Sequence, residues 1–338
     1  MTCTAPCSSL DILDQAALPG LEDSWQALLE RSYDNRVFLT PTWQRLWWEY
    51  FGSGMLQMLT LRDEDGMLQA LLPLQLVRRG DERVLTLLGD HNLADYMDGL
   101  AVKQQAQKLL SQLWKCALSR LEWDRLFLRH VPSASPLIPA LQAAAAECGC
   151  EIEVKQDEVC PVAILCNNWE GYLQMLSKKQ RHEIRRKLRR AQDGVEWEWR
   201  TVDTVDELER DLPIFFRLHE ASAREKARFM TEDVRAFFRA MADTFLQRGW
   251  LRLSVLNRDG HDIAANMSFL YRSRFLLYNS GYDPAASVYS PGIAAVALTM
   301  QDAIAERAVA FDFLSGNEAY KYQFGASDTH TCRVEVRS

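Results

Sequence analysis

Five side chains that could move protons or stabilise charge lie between residues 312 and 322, namely Asp312, Glu318, Tyr320, Lys321 and Tyr322. Asp312 stands between two phenylalanines in an apolar stretch that is typical of a buried strand. Because burial disfavours the charged form of a carboxyl group, the pKa of Asp312 should be raised, as a general base requires. The alternative is a structural aspartate that bonds the backbone. Glu318 and Lys321, in turn, could simply pair on the surface.

A strand, a turn and a helix precede these residues in an order that favours an anion site. The apolar strand that begins near Phe275 leads to a loop closing on Ser290-Pro291-Gly292, and residues 293–304 have the spacing of an amphipathic helix. The first N–H groups of a helix have no partner within the helix, and the helix dipole is positive there. A ligand that carries a pyrophosphate would therefore fit this turn. An ordinary Pro-Gly turn is the alternative.

The segments YNSGYDP (278–284), YSPG (289–292) and FDFLSGNEAYK (311–321) resemble the GNAT acyltransferases. More narrowly, they are similar to the CelD-like acyltransferases associated with cellulose and exopolysaccharide synthesis. These are distant relatives of the Fem peptidyltransferases, which carry two GNAT-like halves. The resemblance covers the chain from about Phe38 to Gly325. It implies an α/β (α+β) fold made of two GNAT-like mixed-sheet units in tandem.

The resemblance also implies a site for the acyl donor. In GNAT folds, the strand before the turn splays from its neighbour, and its free backbone groups hold the pantetheine arm of acyl-CoA. The residues implied in cofactor binding are Asn279, Ser290, Pro291 and Gly292. The turn departs from the family pattern, because it has one glycine and one proline where a longer glycine-rich turn is usual.

Roles in acceptor binding and catalysis are implied in the same way. One of Tyr320 and Tyr322 would protonate the leaving thiolate, although each could instead pack on the sheet. Glu318 and Lys321 match the E-x-Y-K signature of the family and would assist. The residues assigned to the substrate are Tyr282, Asp283 and His219. A lone helical histidine can equally serve packing or capping.

A basic helix over residues 177–191 carries eight Lys or Arg residues against one Glu. Its apolar residues share one face, and an adjacent stripe contains Lys178, Arg181, Arg185 and Arg189. Three interpretations are open. The stripe could be a solvated charged face, a binding surface for an anionic donor or acceptor, or a nucleic-acid surface that includes tRNA. The formal net charge of −7 argues against long polyanions.

Composition places the chain among ordinary globular proteins. It has 338 residues, of which 48% are hydrophobic and 25% charged, and no apolar run approaches the roughly 18 residues of a membrane span. The first residues lack the basic region and apolar core of a signal peptide, so a cytoplasmic location is expected. None of the eight cysteines forms a C-x-x-C pair, so no metal is expected.

The sequence predicts a division into three parts. Residues 1–20 are expected to form a loose N-terminal tail, and the resemblance implies that residues 21–160 are an N-terminal GNAT-like half and residues 161–338 a C-terminal GNAT acyltransferase half. From residue 196, the predicted order is β-α-α-β-β-β-α-β, followed by a short helix and a last strand. No sequence repeat of fixed period is present.

Together, these features predict an N-acyltransferase. The resemblance implies that acyl-CoA, most simply acetyl-CoA, is the co-substrate and that an amine of a small molecule or of a sugar or polysaccharide precursor attacks the thioester directly. An acyl carrier protein could also present the acyl group. The alternatives are a Fem-like transferase that uses aminoacyl-tRNA and a non-catalytic protein that binds a nucleotide, an RNA or a protein partner.

Overall fold

The computed structural model describes residues 9–89 and 93–337 and divides into two compact units. The first unit comprises residues 1–158 and 330–338, and the second comprises residues 159–329. The division thus lies two residues before the predicted boundary at 160/161, and the final strand ends in the first unit. Residues 1–8 of the predicted loose tail lie outside the described residues, whereas residues 9–13 form a strand.

The first unit contains a sheet with helices packed against it. Its strands run in the order β1-β2-β3-β4-β6-β13, and neighbours are antiparallel except for the parallel pair β4 and β6. Thr40 caps the second helix by accepting a hydrogen bond from Trp43 N. The elements are β1 (Ser9–Leu13), α1 (Leu18–Arg31), α2 (Pro41–Phe51), β2 (Met55–Arg62), β3 (Leu68–Arg79), β4 (Glu82–Leu87), β5 (Leu100–Ala101), α3 (Ala106–Arg120), β6 (Arg125–Pro132), α4 (Leu137–Cys148) and the end of β13 (Ser327–Arg337).

The second unit follows the predicted order of elements, with one additional short helix, α8. Its strands run in the order β7-β12-β11-β10-β9-β8. The sheet is mixed, because β11 is parallel to β12 and antiparallel to β10, so the predicted α/β class is confirmed. The elements are β7 (Glu151–Ile164), α5 (Trp169–Met175), α6 (Lys178–Gln192), β8 (Trp197–Thr201), α7 (Val205–Ser222), α8 (Arg224–Phe229), α9 (Glu232–Gln247), β9 (Leu251–Arg258), β10 (His261–Tyr271), β11 (Arg274–Tyr282), α10 (Pro291–Ala305), β12 (Ala310–Asp312) and α11 (Ala319–Gln323).

Strand β11 loses one of its two neighbours halfway along its length. Only residues 274–276 pair with β12, which ends at Asp312, while β11 continues to Tyr282 alongside β10. A register shift opposite Met267 and Ser268 leaves Tyr278 as an extra residue in β11. Within the described residues, the edge of β11 that faces β12 is therefore free of strand partners from Leu277 onwards. This is the splay that the GNAT resemblance predicts.

Helices cover both faces of this strand. Helix α7 approaches so closely at Gly281 that an added Cβ atom would lie 2.2 Å from His219 N. On the opposite face, the ring of Tyr282 lies beside Gly292 of α10, with 3.3 Å between its Cδ1 atom and the position of an added Cβ. Successive side chains of a strand point to opposite faces, so residues 279 and 281 face α7 while residues 280 and 282 face away from it.

Candidate active site

The turn before α10 leaves backbone donors without a cap. Ser290 has left-handed backbone angles, φ 55° and ψ 47°, and its N–H group donates to Ser287 O. Pro291 has no N–H group, and no side chain caps the helix. Within the described residues, the N–H groups of Gly292 and Ile293 have no hydrogen-bond partner. The predicted residues Ser290, Pro291 and Gly292 therefore form a helix N-terminus with two available donors, which suits an anion.

The end of β11 leads directly to this turn. Tyr282 packs against Gly292, and Asp283 caps the short 3-10 helix Pro284–Tyr289 by accepting a hydrogen bond from Ala285 N. The Asp283 carboxylate therefore already has a local structural contact. The structure brings both residues beside the Ser290–Gly292 turn, where the acyl donor is predicted to bind and which is called the donor turn below. Their assignment to the acceptor stays a prediction.

His219 and Asn279, which are 60 residues apart, form a hydrogen bond between α7 and β11. The distance from His219 Nε2 to Asn279 Oδ1 is 3.0 Å. Burial lowers the pKa of His219 to about 4, and the positive charge of Lys226 acts in the same direction. The imidazole is therefore neutral near pH 7.

Lys226 is a residue of this site that sequence reasoning missed. Its Nζ atom donates to Ser280 O on β11 at 2.5 Å. Burial lowers the pKa of Lys226, while the negative charge of Glu318 opposes that shift. The short helix α8 carries no local pattern that distinguishes Lys226 from its charged neighbours, so only the packing of α8 near β11 identifies it.

Asp312 and Lys321 both bind the loop that follows β12. Asp312 is 1% exposed, and its Oδ1 atom accepts a hydrogen bond from Leu314 N at 2.9 Å. Lys321 Nζ lies 2.7 Å from Ser315 O and 2.9 Å from Gly316 O, with Leu314 O farther away at 3.3 Å. Asp312 Oδ1 and Lys321 Nζ are thus both engaged in bonds to the backbone, which for Asp312 is the structural alternative that the sequence leaves open. Their catalytic roles stay predictions.

The two candidate tyrosines differ in their surroundings. Tyr322 OH donates to Asp328 Oδ1 at 2.8 Å near the surface. Tyr320 packs against the core, and its hydroxyl group makes no hydrogen bond within the described residues. Burial, followed by the charge of Glu318, raises the pKa of Tyr320. Tyr320 is therefore protonated at neutral pH and has a hydroxyl group available to a ligand, which makes it the better candidate for the acid.

Glu318 precedes α11 and remains accessible. Its side chain is 59% exposed, and its Oε2 atom lies 3.0 Å from Lys321 Nζ. The ion pair that the sequence leaves open is thus present, with Lys321 as its buried member. Glu318 is the only one of the two predicted carboxylates, Asp312 and Glu318, with access to solvent.

Helix α6 presents different cations on its two flanks. Ile184, Leu188 and Ala191 are buried against the rest of the unit. Successive helical residues are about 100° apart, which places Lys187 and Arg190 on one flank of this buried face. Arg190 Nη1 lies 3.3 Å from Val288 O, two residues before Ser290. A helical wheel places Arg190 on the flank opposite the predicted stripe, but only the packing of α6 shows that this flank lies near the turn.

The predicted basic stripe lies on the other flank of α6. Arg181 donates to Leu173 O and Gln174, and Arg185 pairs with Glu170 of α5. The stripe borders a concave surface of about 690 Å³, whose lining residues are Lys178, Arg181, His182, Arg185, Leu188, Arg189 and Gln192. It therefore faces α5 and not the donor turn. Its three interpretations stay open.

The part of the chain that the structure describes contains neither a cluster of metal ligands nor a helix that could span a membrane. Within residues 9–89 and 93–337, no group of three or more His, Cys, Asp or Glu side chains could hold a metal ion. In the same ranges, no helix has the length and apolar character that a membrane span requires.

Comparisons with known proteins concern the family of one segment and the overall fold. Residues 178–322 match the family model of the acetyltransferase (GNAT) domain. No curated protein matched the sequence. The crystal structure of FemX has a TM-score of 0.67 at 11% sequence identity. The match covers 92% of this chain and 95% of the FemX chain.

Two further solved structures share the fold. L-PGS from Bacillus licheniformis has a TM-score of 0.54 at 11% identity, covering 92% of this chain and 90% of its own. A tandem GNAT protein from the clavulanic acid biosynthesis pathway has a TM-score of 0.50 at 13% identity. The match covers 97% of this chain and 98% of the tandem GNAT chain. At these identities, the likeness concerns the fold alone, and the narrower resemblance to CelD-like enzymes stays a prediction. Residues 178–322 thus match the model of the GNAT acetyltransferase domain, and the fold of the chain is similar to those of FemX and a tandem GNAT protein.

Proposed function

We propose that this protein is an N-acyltransferase that moves an acyl group, most simply acetyl, from acyl-CoA to an amine. One observation carries the proposal. In the GNAT domain, the free edge of β11 begins after Leu276 and runs to the uncapped N-terminus of α10. A thioester donor needs both features, because its pantetheine arm can pair with a free strand edge and its diphosphate with helical N–H groups.

The reaction then follows from the placement of the groups. The acceptor nitrogen attacks the thioester carbon, a C–N bond forms, and the carbonyl oxygen becomes an oxyanion. Collapse of this intermediate breaks the C–S bond and releases the thiolate of CoA. The attacking amine loses one proton to a base, and the thiolate gains one from an acid, so protons balance.

The residues offer one acid and one accessible base for these transfers. Tyr320 is protonated and has an unbonded hydroxyl group, so we assign it to the thiolate. Glu318 has the solvent access that an incoming amine needs, whereas Asp312 is 1% exposed. Glu318 is therefore the first base to test, and Asp312 the second. The acceptor class, a small-molecule or sugar amine, is part of the proposal.

A second candidate function has its own support. The basic stripe of α6 and the likeness to the fold of FemX favour a Fem-like transferase that takes its acyl group from aminoacyl-tRNA. In that case, the stripe would contact phosphates, and binding would weaken steeply with salt. An acyl carrier protein would meet the same stripe through its carboxylates.

Binding of the donor provides the first test. The purified chain is melted with CoA, acetyl-CoA or pantetheine, and release of free thiol is then measured with a panel of amines. We expect CoA to raise the melting temperature more than pantetheine does, because pantetheine lacks the phosphates. Absence of both stabilisation and thiol release would refute the proposal. Retention of tRNA that is lost at high salt would support the second candidate.

A carboxylate introduced at Gly292 tests whether the acyl donor binds at the donor turn. Gly292→Asp should weaken CoA binding about tenfold or more, which corresponds to roughly 1.4 kcal/mol, because its carboxylate would repel the diphosphate of CoA and compete for the positive end of the helix. Gly292→Ala measures the steric effect alone, because its Cβ would lie 3.3 Å from Tyr282. Gly20→Asp is the matched control, since Gly20 lies in the first turn of α1 with nothing within 4 Å. Equal CoA affinity in all three variants would exclude this turn.

A further inference from the structure

Asn279 is held in one orientation by a buried partner. Its Oδ1 atom accepts the hydrogen bond from His219 Nε2 at 3.0 Å. A carboxamide oxygen only accepts hydrogen bonds, so the imidazole proton is on Nε2. The Asn279 amide is therefore fixed with its oxygen towards α7 and its NH₂ group directed elsewhere.

His219 cannot itself reach a ligand. The residue is 1% exposed, and its ring lies between Phe215 and Phe229 with centroid distances of 5.5 and 6.3 Å. Its Nδ1 atom is buried and has no hydrogen-bond partner. Since Nε2 is already bonded to Asn279, neither ring nitrogen is free to exchange a proton with a substrate. The predicted direct role of His219 in substrate binding therefore does not fit its position.

The Asn279 NH₂ group, by contrast, is available. Asn279 is only half-buried, and its Nδ2 atom donates no hydrogen bond within the described residues. The residue lies three positions after Leu276, the last residue of β11 that pairs with β12. An amide donor of fixed direction thus stands next to the free strand edge, where the proposed function places the acyl donor.

We propose that Asn279 Nδ2 donates a hydrogen bond to the thioester carbonyl oxygen of the acyl donor, and that His219 is the positioning residue that directs this amide. The inference rests on the proposed function. During attack, the carbonyl carbon gains the C–N bond and its oxygen gains the negative charge, so a donor aimed at that oxygen becomes stronger in the transition state. The C–S bond breaks when the charge returns to the carbonyl.

The geometry explains why a neutral histidine suits this task. A charged imidazolium would place a full positive charge in an apolar pocket beside Lys226, and burial disfavours that form. The neutral ring keeps a single proton on Nε2. The positive charge of Lys226 on α8 also lowers the pKa of His219, and the Nζ atom of Lys226 donates a hydrogen bond to Ser280 O.

Substitution of each partner tests the proposal. Asn279→Asp is nearly isosteric and keeps an acceptor for His219 but removes both N–H donors. We expect kcat to fall about 100-fold or more, while the affinity for CoA is retained, as for other lost oxyanion donors. His219→Leu should lower kcat about tenfold, because the freed amide samples other orientations, and His219→Gln should restore part of the loss through its own N–H group. His261→Leu, at the exposed start of β10, is the control.

The double variant separates a positioning role from a structural one. If His219 acts through Asn279, Asn279→Asp with His219→Leu should be no slower than Asn279→Asp alone. Losses that multiply, or a wild-type kcat in Asn279→Asp, would overturn the inference while leaving the proposed function intact. Failure of the wild-type chain to bind CoA or release thiol would refute the proposed function, and the inference with it. Should His219→Leu not fold, the comparison of Asn279→Asp with His219→Gln still decides.

Discussion

The contact between α7 and β11 at Gly281 leaves no room for a side chain. A Cβ atom at this position would lie 2.2 Å from His219 N, 2.4 Å from Leu218 C and 2.5 Å from His219 Cα. Ordinary contacts begin at 3.4 Å, so Gly281→Ala must separate the helix and the strand by about 3.4 − 2.2 = 1.2 Å. The obstacle is backbone, which cannot turn aside as a flexible side chain can.

This displacement has a stability cost that can be worked out. Overpacking of this kind costs about 1–3 kcal/mol, and the bond from His219 to Asn279, now 3.0 Å, would lengthen beyond hydrogen-bonding distance and lose about 1 kcal/mol more. A loss of about 2–4 kcal/mol in a unit of this size lowers the melting temperature by roughly 5–15 °C. Acyl transfer should decline as well, since Asn279 would lose its fixed orientation.

Calorimetry of the whole chain measures this effect. If the two units unfold at different temperatures, the transition of the second unit is followed separately from that of the first. Gly20→Ala is the matched control: Gly20 lies in α1 with nothing within 4 Å, so alanine should be neutral or stabilising by about 0.5–1 kcal/mol. A Gly281→Ala protein that melts with the wild type and keeps its activity would refute the described approach of α7 to β11.

Three further predictions concern charge. Arg190→Ala should weaken CoA binding severalfold, whereas Arg189→Ala should not, because only Arg190 bonds the carbonyl of Val288 beside the turn; equal isothermal titration curves would contradict this. The pKa of His219 is about 4 in the folded state against 6.5 unfolded, so its contribution is complete above pH 6.5 and is lost as pH falls towards 4. The change is up to about 3 kcal/mol (2.5 × 1.36), measurable as the pH dependence of unfolding that His219→Gln lacks. Asp312→Asn should lower kcat about 100-fold at an unchanged melting temperature if Asp312 is the base; a lowered melting temperature with full activity would show that its bond to Leu314 is its main role.

Local patterns were enough to predict the elements around the donor turn. The sequence near Pro291 predicts a helix start, and Asp312 between two phenylalanines predicts a buried strand, because capping and periodicity depend on residues a few positions apart. The positive charge of α6 was also predictable from the sequence, since eight Lys or Arg residues lie within one helical stretch. These features follow from near neighbours in the chain and from the geometry of single helices and strands.

Contacts between distant segments required the tertiary structure. The bond between His219 and Asn279, the approach of Lys226 to Ser280 and the flank of α6 that carries Arg190 to Val288 all depend on how helices pack on the sheet. That packing is set by many side chains at once and, at Gly281, by the absence of one. Asp312 and Lys321 illustrate the same point. Their residue types allow catalysis or structure equally, and only the positions of the carbonyl and N–H groups of residues 314–316, which become ordered when the loop folds, distinguish the two.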